Sequence, residues 1–271
     1  MSLKDNNLVI GIITTIVIII IITLGIYMQY TISNNKQEKL AKETKETKSQ
    51  NKEEKVTEKE KEDTILQNID YKEIVKEQMA EPKKGETIAK IHVKNFGEID
   101  VKFFKEDAPK AVENFLTHAK NGYYNGVTFH RVINDFMIQG GDPKGDGTGG
   151  ESIWGEPFEK EVNVKRFPFR GTIAMASTSL PKSLGSQFFI TQAKSDQNVA
   201  NQLKLKGVPN NLLEAYKEFG GYPSLFMNYT VFGQVYKGMD IVDKIAAVKV
   251  NAQDKPEENV VIEKIEVEEV K

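Results

Sequence analysis

The residues best suited to chemistry lie in one short stretch, residues 129–142, with the sequence FHRVINDFMIQGGD. Apolar and polar residues alternate on both sides of a central Asn-Asp turn, so Phe129, Arg131 and Ile133 are predicted to face one way on a strand. A guanidinium buried without partners is costly, so Arg131 should be held by acceptors or lie at the mouth of a pocket. Gln139 follows closely enough to supply one acceptor. The stretch therefore predicts a permanently charged donor beside an apolar surface.

Composition excludes several other kinds of chemistry. The 271 residues include no cysteine, which rules out thiol catalysis, disulfides and a zinc-thiolate site. His92, His118 and His130 are far apart and lack the spacing of metal ligands. The net charge of -2 produces no global field that would favour nucleic acid. The glycine-rich residues 140–150 match neither a phosphate-binding nor a calcium-binding loop, so no cofactor is expected.

Three motifs occur in a fixed order along the chain. The first is 129–142, the second combines MAS at 175–177 with GSQFFI at 185–190, and the third is YTVFGQV at 229–235. In this order they resemble the cyclophilin family of peptidyl-prolyl cis-trans isomerases, in its bacterial membrane-anchored form. The resemblance covers roughly residues 87–267 and implies an enzyme that accelerates rotation about Xaa-Pro bonds in protein substrates.

This reaction asks for little chemistry from the protein. Rotation breaks amide resonance, with a barrier of roughly 18–20 kcal/mol, but it breaks no covalent bond and needs no nucleophile, metal or cofactor. In the twisted state the proline nitrogen can accept a hydrogen bond, so a catalyst should offer an apolar pocket and a fixed donor. By resemblance, Arg131 is the catalytic residue, Gln139 orients it, and the glycine-rich run forms the rim. The resemblance assigns substrate binding to Phe136, Met137, Gln139, Ala176, Ser177, Gln187, Phe189, Leu225 and Tyr229.

Two departures from the family pattern concern one edge of the site. Tyr229 stands where many cyclophilins have a histidine, and it keeps a planar wall with a polar tip. Ser224 stands where many have a tryptophan, and residues 226–228 replace an Asp-Gly turn. These changes predict reduced affinity for the macrocyclic inhibitor cyclosporin. They also keep an alternative open, a catalytically weak proline-peptide binding module or chaperone tethered to the membrane.

The elements that must position these residues are mostly strands. Alternating apolar and polar residues predict strands at 88–94, 99–104, 171–176, 187–191, 231–235 and 260–267. Helices are predicted after Asp107, which can cap the first one, and at 212–219 and 238–247. His118 is predicted to be a surface residue of the first helix. The pattern alone gives a β-rich domain, and the resemblance specifies a mainly β, closed antiparallel eight-stranded barrel capped by α-helices.

The first third of the chain contains an uncharged apolar run at residues 8–28. A helix of about 20 residues crosses a bilayer core of about 30 Å, and Tyr27 and Tyr30 lie where an interfacial aromatic belt would be. The run exceeds the roughly 7–15 apolar residues of a cleaved signal peptide and lacks a small-x-small site. We therefore expect residues 1–30 to be a membrane anchor with a transmembrane helix at about 8–28.

Residues 31–85 are predicted to be a Lys/Glu-rich linker, and residues 86–271 the isomerase domain. The linker composition buries too little apolar surface to offset chain entropy, although apolar residues at 65–75 predict one short helix before Pro82. A bare count of lysines would keep the linker cytoplasmic, but glutamates alternate with them and the short N-terminus resembles an uncleaved export signal.

We therefore expect a single-pass membrane protein whose catalytic domain is extracytoplasmic. Its expected partners are proline-containing unfolded or exported polypeptides and the membrane, with no nucleic acid. A further alternative makes the linker the functional part and the barrel a spacer.

Overall fold

A computed structural model describes residues 71–194 and 210–271 of the chain. Within these ranges the chain forms ten β-strands, four α-helices and a short 3-10 turn at Pro223–Leu225. The strands are β1 (Thr87–Val93), β2 (Gly97–Phe103), β3 (Arg131–Ile133), β4 (Met137–Gly140), β5 (Phe158–Glu159), β6 (Thr172–Met175), β7 (Lys182–Leu184), β8 (Phe188–Thr191), β9 (Val231–Lys237) and β10 (Ile262–Glu269). The helices are α1 (Tyr71–Met79), α2 (Pro109–Lys120), α3 (Asn210–Phe219) and α4 (Met239–Ala246).

Eight strands form one antiparallel sheet in the order β10-β1-β2-β9-β6-β8-β4-β3, and β5 pairs with β7 separately. Strand β1 shows why the sequence forms this sheet. Its residues Ala89, Ile91 and Val93 are buried, whereas Lys90 and His92 between them are partly exposed. This period of two gives a strand one face for the core and one for solvent. The prediction of a mainly β domain is confirmed.

The sheet is curled but open across the described residues, so the prediction of a closed barrel is wrong. Strand β3 has only three residues, because the turn at Asp135, with a φ of 58°, follows it at once. Beyond β3 the two sheet edges meet through a short irregular stretch, with a bridge between Thr128 and Val261 and three backbone hydrogen bonds of 2.8–2.9 Å between residues 126–129 and 260–262. An edge strand this short cannot form a continuous ladder with β10.

The main core joins the sheet to helices α2 and α4. Phe115 of α2 is fully buried at its centre, and its ring centroid lies 5.2–5.6 Å from those of four other aromatic residues. These are Phe103, Tyr124, Phe188 and Phe232. Truncating a phenylalanine in such a site to alanine typically costs about 3–5 kcal/mol of stability.

Helix α2 begins differently from the prediction. Asp107 does not cap it, because the Asp107 carboxylate accepts a hydrogen bond of 2.6 Å from Nε of Arg166. The carboxylate of Glu161 accepts hydrogen bonds from the first free amides of the helix instead, at 3.1 and 2.9 Å. A carboxylate is favourable there because helix N-termini carry a partial positive charge. The cap thus comes from a residue distant in sequence.

His118 is buried on α2, so its prediction as a surface residue is wrong. Its Nε2 lies 3.0 Å from the carbonyl oxygen of Glu151, and its ring centroid lies 4.0 Å from that of Tyr123. His92 on β1 is partly exposed and lies 2.8 Å from a carboxylate oxygen of Glu266.

Helix α1 lies within the residues that the sequence assigned to the linker, yet it packs on the folded domain. Gln78 is fully buried, and its side-chain amide donates to the carbonyl of Phe167 at 2.6 Å and accepts from the amide of Phe167 at 3.0 Å. Lys102 donates to two carbonyls at the end of the helix, one of them that of Glu77 at 2.8 Å. Helix α1 belongs to the same compact unit as the sheet.

A second apolar cluster joins α1 to α3, and we call it the α1–α3 cluster. Its buried members are Tyr71, Val75, Phe167, Phe169, Leu212, Ala215 and Tyr216. Helix α3 forms where the sequence predicted it, and glycines with positive φ at 220 and 221 follow its end.

Two predictions fall on residues outside the described ranges: the membrane anchor at 8–28 and residues 31–70 of the linker. In 71–194 and 210–271, none of the helices combines the length and the apolar character that a membrane span requires.

Candidate active site

A row of side chains in strand register builds the floor of the site. Arg131 on β3 lies opposite Gln139 on β4, Gln139 opposite Phe189 on β8, and Phe189 opposite Ala174 on β6. Ala174 in turn lies opposite Val231 on β9. Directly opposed residues of antiparallel strands project from the same face, so five strands deliver one row to one surface.

The adjacent row faces the other way and belongs to the main core. Four of these five strands each contribute one buried residue to this row, namely Val132, Ile138, Ile190 and Ile173, which lie opposite one another in turn. A register slip of one residue would exchange the core row and the site row, so burial of these apolar side chains fixes the register of the site.

Phe129 does not share the face of Arg131, contrary to the prediction. It is fully buried in the main core together with Val132. The reason is that β3 begins only at Arg131, so alternation along a strand does not extend back to residue 129.

Arg131 lies at the mouth of a cleft rather than in its interior. Its side chain is 43% exposed, and its Nε lies 3.6 Å from Oδ2 of Asp254. The carbonyl of Asp254 also accepts a hydrogen bond of 2.8 Å from the amide of Val132 on the same strand. The loop between α4 and β10 therefore contacts the arginine strand through both main chain and side chain.

That loop is stabilised from within by Asn251. Its Oδ1 accepts hydrogen bonds from the amides of Gln253 at 2.9 Å and Lys255 at 3.1 Å. Asp254 has a φ of 61°, which places it in the left-handed region. This loop was not predicted to belong to the site, because it contains no motif and lies far from 129–142 along the chain.

A third apolar cluster underlies the cleft, and we call it the pocket cluster. Its buried members are Phe104, Met137, Ala174, Phe189, Leu225 and Val231. Phe136, Ala176 and Tyr229 pack against it and are partly exposed. The ring of Tyr229 meets that of Phe189 edge-on, with centroids 5.2 Å apart and planes at 87°. The result is an apolar pocket with one aromatic wall.

The cleft has a volume of about 600 Å³, within the usual range for ligand sites. It brings together every predicted site residue except Gln187, namely Arg131, Phe136, Met137, Gln139, Ala176, Ser177, Phe189, Leu225 and Tyr229. It also contains Gly145, Asp146 and Gly147 of the glycine-rich run that was predicted to form the rim. Four further lining residues were not predicted: His130, Asn251, Gln253 and Lys255.

Gln187 lies behind this lining and connects two of its parts. Its Oε1 accepts a hydrogen bond of 2.9 Å from Nε2 of Gln139, and its own Nε2 donates to the carbonyls of Gly149 at 2.7 Å and Gly147 at 3.1 Å. Gln139 thus orients Gln187 and the glycine-rich loop. The predicted hydrogen bond from the guanidinium of Arg131 to the side-chain oxygen of Gln139 is not formed within the described residues, where Asp254 pairs with the arginine instead.

Asp142 fixes the glycine-rich loop from its base. This fully buried carboxylate accepts hydrogen bonds from the amides of Lys144 at 2.8 Å and Gly147 at 2.7 Å. Burial alone would raise the pKa of Asp142, but these backbone donors outweigh it and lower the pKa below its usual value. At Gly141, where φ is 84°, a β-carbon would lie 2.5 Å from the carbonyl oxygen of Ser186, so only glycine fits.

His130 is buried beside Arg131, and both residues line the cleft. Burial lowers the pKa of His130, and the negative charge of Asp142 only partly opposes this effect. The imidazole is therefore neutral near pH 7. Among the described residues, no group of three His, Asp or Glu side chains is arranged to hold a metal ion.

Comparison with known proteins agrees with this geometry. The family profile described as "Cyclophilin type peptidyl-prolyl cis-trans isomerase/CLD" matches residues 88–267. A provisionally named peptidyl-prolyl cis-trans isomerase of Staphylococcus aureus (strain USA300) is 52% identical over 190 residues, covering 70% of this chain and 95% of the relative. A protein of the same provisional name from Staphylococcus epidermidis is 53% identical over 176 residues, covering 65% of this chain and 89% of the relative.

Two solved structures are also similar to the chain. A cyclophilin-type peptidyl-prolyl cis-trans isomerase of Cryptosporidium parvum has a TM-score of 0.56 and 30% identity, covering 69% of this chain and 99% of that one. The same protein in the presence of the dipeptide Ala-Pro has a TM-score of 0.54 and 32% identity, covering 66% and 96%.

Proposed function

The chain belongs to the family of cyclophilin-type peptidyl-prolyl cis-trans isomerases, and we propose that the cleft at Arg131 is where it catalyses rotation about Xaa-Pro bonds. The observation that carries this assignment is the meeting of one guanidinium with an apolar pocket in a single cleft. An Ala-Pro dipeptide was present with the related Cryptosporidium protein, and we extend proline binding at this position to the present chain.

The pocket cluster holds the proline ring. Met137, Phe189 and Leu225 are buried beneath the cleft, and Phe136 and Tyr229 form partly exposed walls. The planar amide is more polar than the twisted one, because resonance separates charge across it. An apolar surrounding therefore stabilises the twisted state relative to the ground state, which is what accelerates the rotation.

Arg131 supplies the donor for the twisted state. Asp254 engages its Nε, so the terminal guanidinium nitrogens point their N–H groups towards the substrate nitrogen that regains a lone pair. The guanidinium stays protonated at every relevant pH. The substrate backbone binds to the main chain of Ala176 and Ser177. Because the amide of Ala176 already donates to the carbonyl of Gln187 at 2.9 Å, the groups left for the substrate are the Ala176 carbonyl and the main chain of Ser177.

The decisive experiment compares the full-length protein with its Arg131→Ala and Arg131→Lys variants on Ala-Pro and Phe-Pro test peptides. We expect kcat/KM to fall about 10²–10³-fold in Arg131→Ala, the usual effect of removing one preorganised donor. Arg131→Lys should lie between, because a lysine keeps the charge but loses the planar fork. Since Arg131 is half exposed, thermal unfolding should be nearly unchanged.

Two results would contradict this assignment. Wild-type turnover equal to the uncatalysed rate, together with measurable peptide affinity, would favour the alternative of a proline-peptide binding module. Undiminished turnover in Arg131→Ala would place the catalytic donor elsewhere in the cleft.

We further propose that residues 8–28 anchor the protein in a membrane and that the catalytic domain is extracytoplasmic, where it assists the folding of exported polypeptides. The support is the length of the uncharged apolar run. Carbonate extraction should leave the protein in the membrane fraction. The double variant Ile18→Lys/Ile19→Lys should release it, because each central lysine costs about 2.5–3.5 kcal/mol. Digestion of the domain by protease added to intact spheroplasts would show that the domain is extracytoplasmic. Protection from the protease would show that the domain faces the cytoplasm and would overturn the proposed orientation.

Cyclosporin should bind more weakly than it does to family members with a tryptophan at the pocket edge, because Ser224 offers no ring for the macrocycle to pack on. Calorimetry on the wild type and Ser224→Trp tests this. Equal affinities would overturn it.

A further inference from the structure

A polar side groove adjoins the cleft beyond the wall formed by Leu225 and Tyr229. It has a volume of about 470 Å³ and shares with the cleft the residues Phe136, Ser177, Leu225 and Tyr229. The rest of its lining consists of Lys160, Thr178, Ser179, Tyr222, Ser224 and Asn228. In a peptide whose proline lies on the pocket cluster, the residues on one side of the proline would lie in this groove.

Lys160 is the charged residue of this lining. Its Nζ donates to the carbonyl of Asn228 at 3.2 Å and lies 5.8 Å from the ring centroid of Tyr229. Within the described residues no carboxylate forms an ion pair with it. Of the two neighbouring acids in sequence, Glu161 binds the amides at the start of α2, and Glu159 lies 3.9 Å from Lys182.

The groove is therefore suited to an anion. Four hydroxyl groups of Ser177, Thr178, Ser179 and Ser224 line it together with one ammonium group that has no counter-ion. The adjoining cleft adds Arg131 and Lys255 and the carboxylate of Asp146, while Asp254 pairs with Arg131. Lys160, Arg131 and Lys255 thus face two carboxylates, so the combined surface has an excess of one positive charge. A carboxylate in the groove would gain charge-assisted hydrogen bonds that a neutral side chain would not.

We propose that the side groove selects substrates with an aspartate or glutamate close to the proline, on one side of it, through Lys160. This inference rests on the proposed catalytic cleft, whose proline pocket sets the position of the flanking residues. Lys160 becomes a specificity-determining residue, distinct from the donor at Arg131. The substrates so favoured are acidic, proline-containing segments of unfolded chains.

The test uses the full-length protein and pairs of proline peptides that differ only by Glu or Gln at one position, scanned over two positions before and two after the proline. The ratio of kcat/KM for Glu over Gln should reach roughly two- to fivefold on one side of the proline, the size of one partly exposed ion pair. It should fall to about one in Lys160→Gln and below one in Lys160→Glu. The matched control Lys182→Gln, an exposed lysine outside the groove, should keep the wild-type ratio. Salt at about 1 M should reduce the wild-type ratio by screening.

Each result decides the matter. A wild-type ratio of one at every position overturns the proposal while leaving the isomerase intact. If Lys160→Gln lowers turnover of both peptides equally and keeps the ratio, Lys160 only supports the loop at Asn228, and the proposal is also overturned. If no peptide is turned over, the proposed catalytic cleft fails, and the affinities of the Glu and Gln peptides, measured by calorimetry, then decide whether the groove is selective.

Discussion

At the scale of single residues, Asp254 is the acid that pairs with Arg131, the residue that we propose to be catalytic. The two side chains are each 43% exposed and lie 3.6 Å apart, so their ion pair contributes little to stability, typically about 0–1 kcal/mol. Its effect is on geometry, because catalysis depends on where the N–H groups of Arg131 point.

We therefore expect Asp254→Asn to lower kcat roughly two- to tenfold with KM and the unfolding temperature nearly unchanged. Asp240→Asn, an exposed acid of α4 that pairs with Lys244, is the matched control and should leave kcat alone. A change in KM without a change in kcat would mean that Asp254 acts on substrate binding instead.

Tyr229 provides a wall rather than a reacting group. Tyr229→Phe keeps the edge-on contact with Phe189 and should hold kcat/KM within about twofold, whereas Tyr229→Ala opens the wall and should lower it about tenfold or more. A large loss in Tyr229→Phe would reveal a role for the hydroxyl group that the wall does not explain.

Most residues of the site could be predicted because three motifs resemble the cyclophilin family, and the strand register then explains why Arg131, Gln139 and Phe189 share one face. Asp254 and Lys255 could not, because their contribution depends on a loop that returns to β3 from the far end of the domain. Likewise, the buried position of His118 depends on a contact with Glu151 that no local pattern encodes.

At the scale of elements, α1 is held to the domain by polar contacts as well as by the α1–α3 cluster. Lys102 and Gln78 bind main-chain groups across the interface, and Arg166 binds the carboxylate of Glu77 at 2.8 Å. Hydrophobic periodicity does not report such contacts, which explains why the sequence assigned this helix to the linker. The strands were predictable by their alternation, but the openness of the sheet was not, because it depends on how far β3 extends.

Gln78→Ala should lower the free energy of unfolding by about 1–3 kcal/mol, because it leaves the buried amide of Phe167 without a partner, although the carbonyl of Phe167 keeps the amide of Phe169 and the hydroxyl of Thr172 as donors. Lys76→Ala, on the exposed face of the same helix, should stay within about 0.5 kcal/mol of wild type. Urea unfolding followed by circular dichroism measures both. Equal small effects would show that α1 is not docked in solution.

At the scale of the whole molecule, two buried histidines couple stability to pH. Burial lowers the pKa of His118 and of His130 below the ordinary value of 6.5. Between 6.5 and the lowered values, the unfolded chain binds more protons than the folded one, so the free energy of unfolding falls as the pH drops through this window. The loss levels off once both histidines are protonated in the folded state too.

Urea unfolding at pH 7.5 and 5.5 should therefore show a less stable protein at pH 5.5. His118→Gln should show a smaller difference between the two pH values than wild type, whatever its stability at pH 7.5. The control is His92→Gln, which replaces a partly exposed histidine that pairs with Glu266. This variant should keep the stability difference that the two buried histidines produce between the two pH values. A wild-type protein that gains stability on acidification would contradict the assignment of the burial effect.

The docking of α1 also has a mechanical meaning. Any pull exerted on the chain from its N-terminal side reaches the domain first at Tyr71 and then along a helix whose far end is fastened by Lys102 and Gln78. Those fastenings lie between the point of pulling and β1, the first strand of the sheet. We therefore expect tension to detach the helix from the surface of the domain before any force reaches the strands that shape the cleft.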